Sequence, residues 1–174
     1  MRPAIFFDRD GVLNKALVRD GRPLPPRMLS QLVIDVDSVR AVSELKKKGF
    51  LLICVTNQPD LKMGLLSASE LDAINKCVAS TYSLDKLYAC VHLDSDNCDC
   101  RKPKPGMVMQ AIKDFQIDIK SSFVIGDRWR DVEMAHSVGM KSYFIDYQYK
   151  ERRPLPPFMR VTSLIDAVSR ILEI

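Results

Sequence analysis

The chain has 174 residues, 47% of them hydrophobic, and a formal net charge of +4 at pH 7. This length and composition predict a single domain over residues 1–174, and the modest, dispersed positive charge suits a small anionic substrate while arguing against nucleic-acid binding. No stretch approaches the apolar length of a membrane span, and the N-terminus begins a strand instead of a signal peptide. We therefore expect a cytoplasmic monomer with no membrane partner.

Apolar runs and helical patterns alternate along the chain. The runs predict five buried strands, at Ala4–Phe7, Phe50–Val55, Lys86–Val91, Ser122–Ile125 and Ser142–Ile145. The five predicted helices have typical end signals, which are Gly49 after the first, the capping box Ser67–Glu70 before the second, Pro105 before the third, Gly139 after the fourth and Ser163 before the last. Two further stretches, Arg19–Arg27 and Lys150–Pro157, are predicted loops.

This alternation predicts an α/β fold. We expect a Rossmann-like three-layer sandwich, in which helices cover both faces of a mostly parallel sheet. No segment of the chain is large enough to form a separate cap domain. A site at the edge of the sheet should therefore be covered only by short loops.

Two carboxylates follow the first predicted strand, in the segment Asp8-Arg9-Asp10-Gly11. The carboxyl ends of parallel strands are where open α/β sheets bind ligands. One carboxylate can attack a phosphorus atom while the other delivers or removes a proton, with a divalent cation between them. Taken alone, the segment is equally typical of a turn at the end of a strand.

Three of the five cysteines gather around one histidine within residues 90–100. The candidate metal ligands are Cys90, His92, Cys98 and Cys100. Three thiolates and one imidazole on one short loop suit tetrahedral zinc, and an odd cysteine count in a reducing compartment favours metal over disulfides. Since all four ligands come from the protein, the site should be structural and should stiffen the loop that carries Arg101 and Lys102. A loop with free thiols is the alternative.

Polar segments in one fixed order resemble the haloacid dehalogenase superfamily of aspartyl-phosphate phosphatases. They are DRDGVLN, VTNQ, CVHLDSDNCDCRKPKPGM and IGDRWRD. The similarity covers nearly the whole chain and is closest to the small histidinol-phosphate and heptose-bisphosphate phosphatases. One departure lies after VTNQ, where the heptose group has a small residue, a glycine and then an Arg-Gly pair, whereas this chain has Pro59–Gly64.

The resemblance implies a chemical role for each acidic and basic residue. Asp8 would be the nucleophile, and Asp10 would protonate the leaving oxygen and then activate water. Magnesium would be held by Asp8, the backbone carbonyl of Asp10, and Asp127. Thr56 and Lys102 would contact the transferring phosphoryl oxygens.

The residues that bind the rest of the substrate are less sharply defined. The candidates are Asn14, Asn57, Gln58, Arg101 and Arg128. The planar fork of Arg101 suits a second phosphate or a carboxylate, whereas Arg128 could equally be a surface residue. The amide side chains could bind hydroxyl groups or only fix the loops. Asp131 could assist the magnesium shell through water or simply begin a helix.

Two substrates compete within this family. The short zinc loop resembles that of histidinol-phosphate phosphatases, whereas Lys102–Met107 resembles the heptose-bisphosphate enzymes. Because Arg101, Arg128 and Lys62 would repel a cationic histidinol, we expect removal of the 7-phosphate from D-glycero-D-manno-heptose 1,7-bisphosphate, a step toward surface polysaccharide. Histidinol phosphate, another small sugar phosphate, a phosphotransfer reaction, and an inactive zinc-loop binding module remain the alternatives.

Overall fold

The structure is a computed structural model that describes residues 1–174. It contains eight strands, which are β1 (Ala4–Phe7), β2 (Leu17–Arg19), β3 (Arg22–Leu24), β4 (Leu51–Asn57), β5 (Lys86–Cys90), β6 (Phe123–Gly126), β7 (Lys141–Ile145) and β8 (Met159–Val161). Its five α-helices are α1 (Val36–Lys47), α2 (Ala68–Thr81), α3 (Gly106–Phe115), α4 (Trp129–Ser137) and α5 (Leu164–Leu172). None of these helices has the length and apolar composition needed to span a bilayer.

Six strands form one parallel sheet in the order β5-β4-β1-β6-β7-β8. In chain order, β4 and β5 add to one side of β1, and β6, β7 and β8 then add to its other side. The carboxyl ends of β4, β1 and β6 therefore lie next to one another at the point where the strand order reverses. In open α/β sheets a ligand-binding crevice forms at this point.

The sheet separates two apolar cores, as the α/β prediction requires. Successive residues of β1 alternate between them: Ile5 and Phe7 join a cluster with residues of α1, α2 and α5, whereas Ala4 and Phe6 join one with residues of α3 and α4. Since side chains of a strand point to opposite faces in turn, a central strand buried on both faces must be apolar throughout. The predicted three-layer α/β fold without a large cap is confirmed.

All five predicted strands and all five predicted helices are present, but three short strands, β2, β3 and β8, were not predicted. Part of the predicted loop Arg19–Arg27 forms an antiparallel hairpin, β2 with β3, so that prediction was wrong. Its turn is Asp20-Gly21, both with positive φ, which is a typical hairpin signal that the sequence did contain. Pro23 lies within β3, and a proline in such a short strand argued against a sheet. The three-residue edge strand β8 was also missed.

Removing a large side chain from the core between the sheet and helices α1, α2 and α5 should destabilise the fold. Leu45 on α1 is 0% exposed within this cluster, so we expect Leu45→Ala to lower the free energy of unfolding by about 2–5 kcal/mol. Val36→Ala on the same helix is the matched control, because Val36 is 63% exposed and its truncation should change stability by no more than about 0.5 kcal/mol. Urea denaturation followed by circular dichroism gives both values, and equal losses would contradict this packing.

Candidate active site

A buried lysine joins the segments that meet at the carboxyl edge of the sheet. Lys102 is 2% exposed, and its Nζ lies 2.9 Å from Asp8 Oδ1 and 2.6 Å from Asp131 Oδ1. Burial alone would lower the pKa of Lys102, but the carboxylates of Asp131 and Asp8 outweigh this effect and raise that pKa above its usual value. The lysine is therefore charged at neutral pH and holds the two acids together.

Asp127 lies beside this group, where the charge of Arg128 offsets only part of the effect of burial and of the neighbouring carboxylates. The ligand oxygens of Asp8, Asp127 and Asp131 all lie within 4.8 Å of one another. Neither oxygen of Asp127 accepts a well-formed hydrogen bond, although the side chain is buried. Burial and the carboxylates of Asp8 and Asp131 raise the pKa of Asp127 well above its usual value. Carboxylate oxygens that are buried and unpartnered fit a divalent cation such as Mg²⁺, whose preferred ligands are oxygens.

Gly11 allows this close approach of the loop after β1 to Asp127. Its φ is +92°, a backbone conformation that side chains disfavour, and a Cβ placed on it would lie 1.8 Å from Asp127 Oδ2. Gly126 has the same function on the next strand, since a Cβ there would lie 2.2 Å from Asp131 Cβ. The two glycines therefore let the acidic segments come into contact.

Asp10 lies beside Asp8 and is held by several donors. Arg9 donates to it twice, from Nε to Oδ1 at 3.1 Å and from Nη2 to Oδ2 at 3.0 Å. Gln58 donates to Oδ2 at 2.6 Å and Asn14 donates to Oδ1 at 3.1 Å. The side chains of Gln58 and Asn14 are buried, do not line the cleft, and hold Asp10 in place through these hydrogen bonds.

The backbone of Lys102 is also fixed from two sides. Asn57 donates to the Lys102 carbonyl from Nδ2 and accepts from the Lys102 amide at Oδ1, both at 3.1 Å. Arg130 donates to the same carbonyl at 3.0 Å. Thr56, one residue before Asn57, is buried and accepts a hydrogen bond from Gln58 at 2.9 Å. The segment VTNQ therefore positions both Lys102 and the support of Asp10.

A cleft of about 230 Å³ opens above these groups. Its lining comprises Asp8, Asp10, Pro23, Leu24, Pro25, Asn57, Pro59, Asp60, Arg101, Lys102, Arg128, Arg130 and Asp131. The hairpin forms its roof, and two contacts tie this roof to neighbouring loops: Arg27 Nε lies 2.7 Å from Asp60 Oδ2, and the Lys150 amide donates to the Gly21 carbonyl. A short, tethered hairpin thus covers the cleft without a cap domain.

Three guanidinium groups line the cleft. Arg101 lies 2.9 Å from Asp94, and Arg130 contacts the same carboxylate at 3.1 Å. Arg128 instead forms a bidentate pair with Glu151. Because one carboxylate is shared between Arg101 and Arg130, this side of the cleft retains positive charge. Both predicted arginines, Arg101 and Arg128, therefore lie at the cleft, and Arg130 was missed.

Lys62 does not belong to this group, contrary to the sequence-based argument. Its Nζ lies 2.6 Å from Asp96 Oδ1, and its side chain does not line the cleft. It joins the loop after β4 to the loop of residues 90–100. Repulsion of a cationic substrate therefore depends on the arginines alone.

The four candidate zinc ligands lie close together in the loop after β5. The Cys90–Cys98, Cys90–Cys100 and Cys98–Cys100 sulfur pairs are 3.7, 3.1 and 3.5 Å apart. His92 Nδ1 lies 3.5 Å from the Cys90 sulfur and 3.3 Å from the Cys100 sulfur. Tetrahedral zinc with bonds of about 2.3 Å to sulfur and 2.0 Å to nitrogen requires separations of roughly 3.8 and 3.5 Å, so these residues could hold it. The sulfur atoms are not joined by disulfide bonds, which would bring them to about 2.05 Å.

Sequence comparison identifies the family to which the chain belongs. The HAD-hydrolase-like family matches residues 99–164. The D-glycero-β-D-manno-heptose-1,7-bisphosphate 7-phosphatase of Pasteurella multocida is 35% identical over 145 residues, covering 76% of this chain and 74% of that protein. The chain belongs to this family of haloacid dehalogenase-type phosphatases. The Helicobacter pylori (strain ATCC 700392 / 26695) member is 29% identical over 161 residues, or 87% of each chain.

Solved structures confirm the fold of this phosphatase family. The D,D-heptose 1,7-bisphosphate phosphatase of B. bronchiseptica, complexed with magnesium and phosphate, superposes with a TM-score of 0.84. The match covers 98% of both chains at 24% sequence identity. A HAD-like protein of Mesorhizobium loti gives a TM-score of 0.78, also at 24% identity.

Proposed function

We propose that the chain is a magnesium-dependent phosphatase that removes the 7-phosphate of D-glycero-D-manno-heptose 1,7-bisphosphate through an aspartyl-phosphate on Asp8. The observation that carries this proposal is the arrangement of Lys102 between Asp8 and Asp131, beside the unpartnered carboxylate of Asp127. It combines a nucleophile, a fixed positive charge and a cation site at one point. The names of the family members supply the substrate class.

Two steps account for the reaction. An oxygen of Asp8 forms a bond to phosphorus while the bond from phosphorus to the sugar oxygen breaks, and Asp10 gives its proton to that oxygen. In the second step Asp10 takes a proton from water, the water oxygen bonds to phosphorus, and the bond to Asp8 breaks. Inorganic phosphate leaves and both carboxyl groups return to their starting states.

Charge on the phosphoryl group must be balanced throughout. Lys102 is already fixed against Asp8, so its ammonium group needs no rearrangement to contact phosphoryl oxygens there. Magnesium held by Asp8, Asp127 and the Asp10 carbonyl would supply further positive charge at the same oxygens. Both oxygens of Asp131 are engaged, by Lys102 and by the Arg128 amide, which favours a role in orienting Lys102 over direct coordination.

The arginines that line the cleft favour a substrate with two phosphate groups. Arg101 and Arg130 share Asp94 and so retain positive charge for a second phosphate at the far end of the sugar. Histidinol would place an ammonium group beside the same side chains, where like charges disfavour binding. Histidinol phosphate remains the second candidate because of the spacing of the zinc loop.

A structural zinc bound by Cys90, His92, Cys98 and Cys100 is part of this proposal. The His92 carbonyl accepts a hydrogen bond from Arg101 at 3.0 Å, so the cluster connects directly to the residue before Lys102. Metal binding would thus order the segment that delivers both basic side chains. We also propose that residues 1–174 act as one domain.

Zinc should be present and should stabilise the chain. We expect about one zinc per purified chain by elemental analysis, and Cys98→Ser should lose zinc and melt at a lower temperature. Cys77→Ser is the control, because Cys77 lies on α2 outside the cluster and its change should leave the zinc content intact. A Cys98→Ser protein with the melting temperature of the wild type would contradict the structural role.

Neutralising Asp8 and neutralising Asp10 should lower the turnover rate to different extents. Asp8→Asn should abolish turnover with the fold intact, because an amide of the same shape is a poor nucleophile. Asp10→Asn should lower kcat by about 10²–10⁴, the usual contribution of general acid–base catalysis. Asp72→Asn, exposed on α2, is the control for loss of a charge. Phosphate release measures all three, and substantial activity in Asp8→Asn would exclude this nucleophile.

The two candidate substrates can be compared on one preparation of the purified protein. We expect kcat/KM for the β anomer of the heptose bisphosphate to exceed that for histidinol phosphate by at least about tenfold, or 1.4 kcal/mol. The physical reason is the positive charge at Arg101 and Arg130. A tenfold preference for histidinol phosphate would overturn the substrate while leaving the phosphatase mechanism in place.

A further inference from the structure

An asparagine interrupts the apolar face of α2. Leu71, Ile74 and Val78 of this helix are buried in the same core as Leu45. Asn75 lies on the same side of the helix, one turn after Leu71. Asn75 is partly buried, and a polar side chain at the edge of a core is stabilised by a hydrogen-bond partner because an unpaired polar group is costly to bury. Its Oδ1 accepts a hydrogen bond from Arg9 Nη1 at 2.7 Å.

Arg9 connects Asn75 to Asp10 in the active site. Its side chain is 0% exposed, and its guanidinium group contacts Asn75 at one end and both oxygens of Asp10 at the other. A guanidinium group is planar, so fixing one edge fixes the direction of the opposite edge. Neither Arg9 nor Asn75 was predicted from the sequence to have a role in the site.

We infer that Asn75 and Arg9 are positioning residues that set the plane of the Asp10 carboxyl group for proton transfer. The inference rests on the proposed function, in which Asp10 protonates the leaving oxygen. Gln58 and Asn14 each hold one oxygen of Asp10, but Arg9 alone contacts both. Loss of the Asn75 contact frees the guanidinium plane, and with it the direction of the Asp10 proton.

The dependence of the rate on the leaving group tests this role. A sugar or other alkyl phosphate leaves as an alkoxide and needs the proton from Asp10, whereas an activated aryl phosphate leaves as a stable anion and needs it little. The constant kcat/KM covers the steps up to cleavage of the ester, so hydrolysis of the aspartyl-phosphate does not enter. The readout is the alkyl-to-aryl ratio of kcat/KM.

Three variants separate positioning from packing. Asn75→Leu keeps a similar volume but removes the acceptor, and the alkyl-to-aryl ratio should fall by about tenfold. Asn75→Asp retains an oxygen at the same place and should restore the ratio to within about threefold of wild type. Lys76→Ala removes the exposed neighbour on α2 and should not change the ratio. Asn75→Ser, which shortens the acceptor, replaces Asn75→Leu if that protein does not fold.

Each outcome decides the inference. A lower ratio in Asn75→Leu with restoration in Asn75→Asp supports it. An equal loss on both esters shows a structural role only, and an unchanged ratio shows no role; either result overturns it. A wild-type protein that cleaves alkyl and aryl phosphates but not the heptose bisphosphate overturns the proposed substrate and leaves the ratio test valid. A wild-type protein that cleaves neither ester overturns both proposals.

Discussion

A buried ammonium group between two carboxylates is the interaction on which the site depends. Lys102 contacts Asp8 and Asp131, which come from distant parts of the chain, and all three are largely excluded from water. Removing Lys102 would leave two buried carboxylates without a compensating charge, which costs several kcal/mol. The arrangement therefore persists only if every segment that supplies it is placed accurately. The parallel sheet places Asp8 directly at the end of β1, and it places Asp131 through α4, which follows the neighbouring strand β6.

Lys102 has no strand to place it, so the surrounding loops must do so. Asn57 at the end of β4 pairs with both the backbone N–H and the carbonyl of Lys102, and Arg130 at the start of α4 donates to the same carbonyl. The thiol and imidazole cluster lies immediately before it in the chain. These supports together restrict the loop far more than its length would suggest, because each fixes a different direction. A loop held in this way can present a charge as rigidly as a strand does.

The sequence predicted the sheet, the helices and the acidic and thiol clusters because these have strong local signals. Buried strands are continuous apolar runs, and ligand residues repeat at short spacing. The three-residue strands β2, β3 and β8 give too short an apolar pattern to detect, although the turn signal Asp20-Gly21 between β2 and β3 was present. Arg9 and Asn75 were missed for a different reason: their contact joins residues 66 positions apart, and arginine beside two aspartates is easily taken for a surface residue. Their partnership becomes visible only when α2 packs against the loop after β1.

Charge is distributed unevenly across the cleft, and this distribution constrains how a ligand lies in it. The floor holds the carboxylates of Asp8, Asp10 and Asp131 with one lysine, whereas one side holds guanidinium groups. A phosphoryl group can approach the acidic floor only when cations offset the repulsion, which Lys102 does in part and a divalent cation would complete. A second anionic group at the other end of the same molecule meets the arginines without such help. A ligand with phosphates at both ends therefore satisfies both regions in one orientation, whereas a ligand with one phosphate leaves the arginines to their carboxylate partners, Asp94 and Glu151.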